Sequence, residues 1–562
     1  MDGFVAAFDQ SRLDVVARHA TTLDAAIEAV QTRKSWSPYR DSPSTKIHGP
    51  DKPVQGKAAF DARLNTLFDL GQPGVVGEVG EEVSPFTGRP LGVRYPVSDP
   101  NVLVDAALAA WGDWRAADPE LRLALCLEMS QRLYDRNFEM VHAVMHVAGQ
   151  SYTQAFSGSG PNALDRGVEA LAYAAKAMRD VVPTAQYHRD FGGEAVALEK
   201  TYTLVPRGVG LVICCASFPT WNAYPAMFAS LATGNPVIVK PHPIAVLPMA
   251  IVVETCRQVL ADHGFDPDLV TLAVDTLADP VAQKLVDHPD VQIIDFTGSP
   301  RYGGHLERTV TGKLLFTETA GVNTVVIDSV ADLDAVARAV ARSSSLFSAQ
   351  MCTSPQVIYI APDLFEPLSA AIVAQIDAIA ADPAQAAGIM GAIQGEVSLK
   401  VVRDARAEIE GKSGVRVLRE AAPYAHPQFP DARTLTPLVI AVESDGNHEL
   451  YAEERFGPVL YLVHKPADEA VSEATWLAKT RGSISSYLYS IDEDFIDRAA
   501  PAYEAAGANL SINLTGAMWI NFAAAYSDYH VTGLNPAGNA CLADLAFVAS
   551  RFRIVQRRRP IR

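Results

Sequence analysis

Apolar and polar positions keep different rhythms in different parts of the chain. After Asp99-Pro100, a helix cap followed by proline at the first helical position, Val104, Leu108, Trp111 and Trp114 recur at helical spacing, and 121–147 keeps that period. Between 192 and 204 (GGEAVALEKTYTL) the pattern alternates, which predicts a strand or hairpin. From 208 short apolar runs trade places with helical stretches. Strands are expected at 208–215, 237–240, 270–274 and 291–296, with helices at 220–232, 248–263 and 280–287 between them. A further apparent strand, 313–317, ends at Glu318. Such alternation predicts a parallel sheet covered on both faces, with ligands held beyond the carboxyl ends of the strands. Lys240, Gly298 and Ser299 fall at such ends. The first 80 residues lack regular rhythm, and 41–54 (DSPSTKIHGPDKPV) reads as an extended arm over the surface.

Composition narrows the class. The 562 residues carry 47 Lys+Arg against 65 Asp+Glu, a net charge of −18, with 49% hydrophobic and 20% charged residues. This is a soluble globular composition, and at about 150 residues per domain the length suggests two to four units. The acidic balance argues against nucleic acid or an anionic membrane as partner. The basic cluster at 551–562 reads as a solvated or subunit-contacting end. Six cysteines, none in a CxxC pair, are too few for a disulfide framework, and Cys214-Cys215 suits a core strand. The N-terminus has neither a basic nor an apolar leader region, and the uncharged run near 209–218 is half of the ~20 residues a membrane span needs. A cytoplasmic location is expected.

Four places offer chemistry. The segment 296–303 (FTGSPRYG) is a strand end, a Gly-Ser turn and a helix start, where a phosphate would meet the backbone closely. Lys240 is either a solvated strand-end lysine or a donor to a nucleotide. Cys352, in SSSLFSAQMCTSPQ, is either an inert thiol or a nucleophile, which would need its pKa lowered from about 8.5. Glu318, opening ETAGVN, is a candidate general base.

In this order, with EERFGPV at 453–459, these segments resemble the aldehyde dehydrogenase superfamily over nearly the whole chain from about Ser84. The resemblance implies an α/β fold with a doubly wound cofactor-binding domain, an α/β catalytic domain and an oligomerisation hairpin. It implies that Cys352 is the thiolate nucleophile and Glu318 the base that activates the deacylating water. Lys240 and Glu454 would hold the cofactor riboses, Phe456 would pack near the nicotinamide, and Gly298, Ser299 and Gly303 would shape the pyrophosphate site. The boundaries expected are an arm at 1–83, a cofactor domain at 84–191 and 205–317, a catalytic domain at 318–525, and oligomerisation segments at 192–204 and 526–562. A homodimer or larger homo-oligomer follows, acting on a small aldehyde.

Two departures stand out. Ser217 occupies the place where the family usually has an oxyanion-stabilising Asn, and losing such a donor typically costs ~2.7–4 kcal/mol. Either Ser217 suffices with the Cys352 backbone N–H, or Asn222 completes the site, or the enzyme is slow. Pro243 stands where many NAD-using members carry Glu, so NADP is the expected cofactor, with NAD as a weaker second. The run 507–540, the long arm and ASFPTWNAYP look like the phenylacetic acid degradation proteins of the PaaN type. That implies a CoA-linked semialdehyde from ring opening, with the ring-opening hydratase on another polypeptide. The rival readings are a CoA-acylating dehydrogenase, against which Glu318 speaks, and a non-catalytic binding protein of the same fold.

Overall fold

The apolar runs that begin at residue 209 become strands buried on both faces. In the computed structural model, which describes residues 2–319, 321–443, 445–516, 524–528 and 544–561, the strands in chain order are β1 (Val75–Val79), β2 (Tyr95–Ser98), β3 (Thr184–Asp190), β4 (Ala195–Pro206), β5 (Val209–Ile213), β6 (Val237–Lys240), β7 (Val270–Leu272), β8 (Val291–Gly298) and β9 (Leu314–Thr319). They continue with β10 (Asn323–Ile327), β11 (Pro355–Ile360), β12 (Val415–Arg419), β13 (Leu438–Val442), β14 (Val459–His464), β15 (Ser486–Tyr489), β16 (Leu510–Ile512) and β17 (Phe552–Pro560). One five-stranded parallel sheet runs β7-β6-β5-β8-β9. A seven-stranded sheet runs β12-β13-β14-β11-β10-β15-β16, parallel except for the β12 edge. Only three residues separate the last strand of the first sheet from β10, so Glu318 lies at the junction of the two.

Helices cover both sheets. The helix Pro100–Ala116 starts as its sequence predicts, with the Asp99 side chain accepting from the Asn101 N–H at 2.8 Å and Pro100 in the first turn. The apolar helix Phe365–Ala381 is long enough, with the turn before it, to cross a membrane. Its Leu368, Ile372 and Ile376 instead pack on the seven-stranded sheet.

Three expectations need correction. The stretch 41–54 is not extended: it holds the helix Thr45–His48 and the start of the helix Asp51–Arg63. Its prolines lie outside these helices or in a first turn, where a missing N–H costs nothing. Gly56 lets the second helix rest on Phe138, since a Cβ there would stand 2.3 Å from the Phe138 Cβ. Secondly, residues 192–194 form the turn of the predicted hairpin, and its first strand is the polar β3, paired antiparallel with β4. Thirdly, the basic tail is not solvated from its start: residues 553–560 are exposed, but the first arginine is in the core. Arg551 is fully buried and bridges Asp295 (2.6 Å) and Ser230 (2.8 Å), stacked over Phe316 and Phe547. Beyond it β17 adds to β4, giving a three-stranded antiparallel sheet β17-β4-β3. Most of 507–540 and part of the expected oligomerisation segment 526–562 lie outside the described residues.

Candidate active site and dinucleotide groove

The carboxyl ends of β5, β6, β7 and β8 open onto a cavity of about 1260 Å³ that continues to the edge of the seven-stranded sheet. Cys352, Glu318, Ser217, Asn222, Lys240, Pro243, Gly298, Ser299, Glu454 and Phe456 all line it. Gly303 does not. A Cβ there would strike Thr319 Cγ2 at 2.5 Å, so this glycine serves the contact of its helix with β9.

Cys352 sits in the turn before β11, and the neutral amide of Asn323 holds that turn. Asn323 Nδ2 donates to the carbonyls of Cys352 (2.8 Å) and Ser354 (3.0 Å), while its Oδ1 accepts from the N–H groups of Ile484 and Ser485. Upstream, Phe347, Ser348 and Ala349 all take left-handed backbone angles (φ 49°, 48° and 52°), costing roughly 1–2 kcal/mol each for non-glycine residues. Gln350 stays buried beneath them, donating to the Ala392 carbonyl and accepting from the Gln394 N–H. The thiol pKa is not lowered as a resting thiolate would require. Burial pushes it well above its ordinary value, and Glu318, Cys215 and Glu454 add to the rise.

Glu318 is buried at the end of β9, opposite Thr297 of β8. Asn222 precedes the helix Ala223–Ala232 and makes no capping bond; its Nδ2 reaches Glu318 Oε1 at 3.4 Å. Ser217 is held by Gln150, whose Nε2 donates to the Ser217 carbonyl at 2.7 Å, and the nearby Cys215 thiol donates to the Phe218 carbonyl at 3.4 Å. The cysteine pair divides. Both line the cavity, but Cys214 is also buried in the core, whereas Cys215 is partly exposed and lies near Cys352, contrary to the expectation of two core residues.

On the far wall Gln356 clamps the loop that carries Glu454 and Phe456. Its Nε2 donates to the carbonyls of Tyr451 and Glu453, and its Oε1 accepts from the Arg455 N–H at 2.6 Å. Burial pushes Glu454 up to about 8.

The other end of the cavity is lined by a helix N-terminus and a buried lysine. Ser299 caps the helix Pro300–Thr309, its Oγ accepting from the Tyr302 N–H, so a helix N-terminus faces the groove beside Gly298. Lys240 Nζ stands 2.7 Å from Asp275 Oδ1 and donates to the Pro241 carbonyl at 2.9 Å. The helix N-terminus, the buried lysine and the groove fit phosphate and ribose. Two features of the groove bear on the cofactor expectation. Pro243 does line the groove, but Asp275, beyond the end of β7, supplies a carboxylate that the sequence reading overlooked. His242 is no cationic donor, because burial and Lys240 lower its pKa to about 4.

This arrangement of a parallel and a mostly parallel sheet around a thiol, a buried glutamate and an adjoining groove is that of an oxidoreductase. The chain belongs to the aldehyde dehydrogenase family, whose model matches residues 77–523. Its fold matches the crystal structure of an NAD-dependent aldehyde dehydrogenase from Burkholderia multivorans with a TM-score of 0.93, at 41% identity, covering 97% of this chain and 99% of that one. It is 25% identical over 434 residues to a 1-pyrroline-5-carboxylate dehydrogenase of Bacillus pumilus, covering 74% of this chain and 78% of that protein. An NADP-dependent glyceraldehyde-3-phosphate dehydrogenase from Bacillus halodurans shares the fold (TM-score 0.66, 19% identity, 86% and 96% covered).

Proposed function

We propose that this aldehyde dehydrogenase oxidises its substrate to a carboxylic acid through a thioester on Cys352, with Glu318 activating the water that releases the product. The observation that carries this reading is the placement of Cys352 and Glu318, from two different sheets, on the wall of one cavity that continues into the dinucleotide groove. A nicotinamide dinucleotide, when bound, supplies the hydride acceptor. Cys352 adds to the aldehyde carbon after its proton passes to water in the cavity, and Ser217 and the Cys352 backbone N–H act as donors to the oxyanion. Asn222, committed to Glu318, orients the base. Lys240, Gly298, Ser299, Glu454 and Phe456 hold the cofactor.

The five-stranded sheet and its helices form the cofactor half, and the seven-stranded sheet the catalytic half. The β17-β4-β3 sheet exposes Ile554 and Val555 and joins copies of the chain into a homo-oligomer. The substrate reading is a CoA-linked semialdehyde from aromatic ring opening, handled in the cytoplasm. It rests on the resemblance of the arm and ASFPTWNAYP to phenylacetic acid degradation proteins and on the width of the cavity, which Arg342 also lines. NAD(P)H formation tests this reading, with the CoA-linked semialdehyde and 1-pyrroline-5-carboxylate compared, each with and without free CoA. Turnover that requires free CoA identifies an acyl-transferring enzyme instead. Preference for 1-pyrroline-5-carboxylate, the substrate in the names of several relatives, overturns the substrate reading alone.

A further inference from the structure

We propose that Asp275 sets the choice between the two nicotinamide dinucleotides, selecting the form without a 2′-phosphate. This inference rests on the dinucleotide reading of the groove. The usual site of a discriminating carboxylate is occupied by Pro243, yet the groove has not lost its negative charge. Asp275 delivers it from the neighbouring strand end, with its side chain fully buried. Oδ2 accepts from the Val281 N–H at 2.9 Å, which fixes the plane of the carboxylate. Oδ1 lies 2.7 Å from Lys240 Nζ, a charge-assisted contact, and a carboxylate oxygen can accept a second donor. It is thus a buried acceptor, on the groove wall, with a lone pair still to satisfy.

A ribose hydroxyl satisfies that acceptor, and a phosphate cannot. A 2′-phosphate carries nearly two negative charges and no proton to donate at neutral pH, so Asp275 repels it at short range. Paired at 2.7 Å, Lys240 and Asp275 carry no net charge between them, so the lysine gives a 2′-phosphate no net attraction while the carboxylate still faces it with an acceptor. Arg301 also lines the groove, but on the helix that follows β8. In the strand order β7-β6-β5-β8 this places it three strands from Asp275, roughly 14 Å at the ~4.8 Å spacing of a sheet. It serves the other end of the groove.

The test measures binding in the absence of aldehyde. NADH and NADPH are titrated by nicotinamide fluorescence into the wild type and Asp275→Asn, a variant that keeps an acceptor for the Val281 N–H. The wild type should bind NADH at least about tenfold more tightly, and the variant should narrow that ratio by about tenfold, mainly through tighter NADPH. On the unaltered protein ADP-ribose should displace NADH, while 2′-phospho-ADP-ribose at the same concentration should not, which keeps the test decisive if the variant folds poorly. Equal binding of both dinucleotides by the wild type, equal displacement, or an unchanged ratio in a folded variant overturns the role of Asp275. Binding of neither dinucleotide overturns the groove assignment with it.

Discussion

The two ends of the cavity treat buried acids in opposite ways. In the cofactor half two buried carboxylates meet cations: Asp275 meets Lys240, and Asp295 meets Arg551. In the reaction chamber Cys352, Glu318 and Glu454 are gathered together, and their mutual repulsion and burial keep the thiol protonated at rest. Burial alone places Glu454 at about 8. One end holds permanent charge for a ligand that brings charge of its own. The other holds protons back, so that negative charge develops only as bonds change, in surroundings where each donor counts for more than it would in water.

Removing the thiol attacks the chamber most directly. Cys352→Ala should lower aldehyde oxidation by roughly a thousandfold or more while dinucleotide affinity, a property of the other end, stays within about twofold. Undiminished NAD(P)H formation in that variant would end the assignment of the chamber. Glu318→Gln comes next. It should give one rapid burst of NAD(P)H and then stall, because the carboxylate acts on water after acylation. Loss of the burst in a protein whose Cys352 still alkylates would move Glu318 from water activation to thiol activation.

The paired end is probed through stability. Arg551→Met leaves Asp295 buried without its cation and should cost about 3–5 kcal/mol, and Arg551→Met with Asp295→Leu should recover much of it. Urea unfolding of both variants measures the difference; a neutral single substitution would mean that the groove does not depend on matched charge. The smallest effect concerns pH. Glu454 has its folded pKa raised to about 8, so between ~4.3 and that value the folded state holds more proton than the unfolded state. The stabilising contribution of its protonated form is complete below that window and is lost as pH rises through about 8. Glu454→Gln should therefore flatten the decline in Tm between pH 6 and pH 9.

What the sequence revealed and concealed follows from the same physics. Strands such as β5, β6 and β8 are buried on both faces, so their apolar runs stand out. β3 (TAQYHRD) is largely exposed and carries no such mark. The prolines of 41–54 suggest extended chain only until their positions in the helices are known. Cys352 and Glu318 were legible as chemistry-bearing residues in a familiar order. Asn323 and Gln356, which hold the loops on either side, are neutral amides whose function depends on partners far along the chain. Asp275 was missed for a related reason. A carboxylate just past a short strand resembles any solvated turn residue until Lys240 is placed beside it. The left-handed turn at Phe347–Ala349 had no glycine to announce it.

The Arg551–Asp295 pair also dictates an order of assembly. The two residues are 256 positions apart, so at ~5–20 residues per second the ribosome delivers the arginine roughly 13–50 s after its aspartate. Throughout that interval the nascent five-stranded sheet carries an acid on β8 with its counter-ion still unmade, and the strand that caps β4 is missing as well. The cofactor half cannot finish before the catalytic half, which is synthesised in between, has emerged. Although it is encoded first, it closes last, and a chain arrested midway exposes an unfinished sheet to chaperones and proteases rather than a competent nucleotide-binding module.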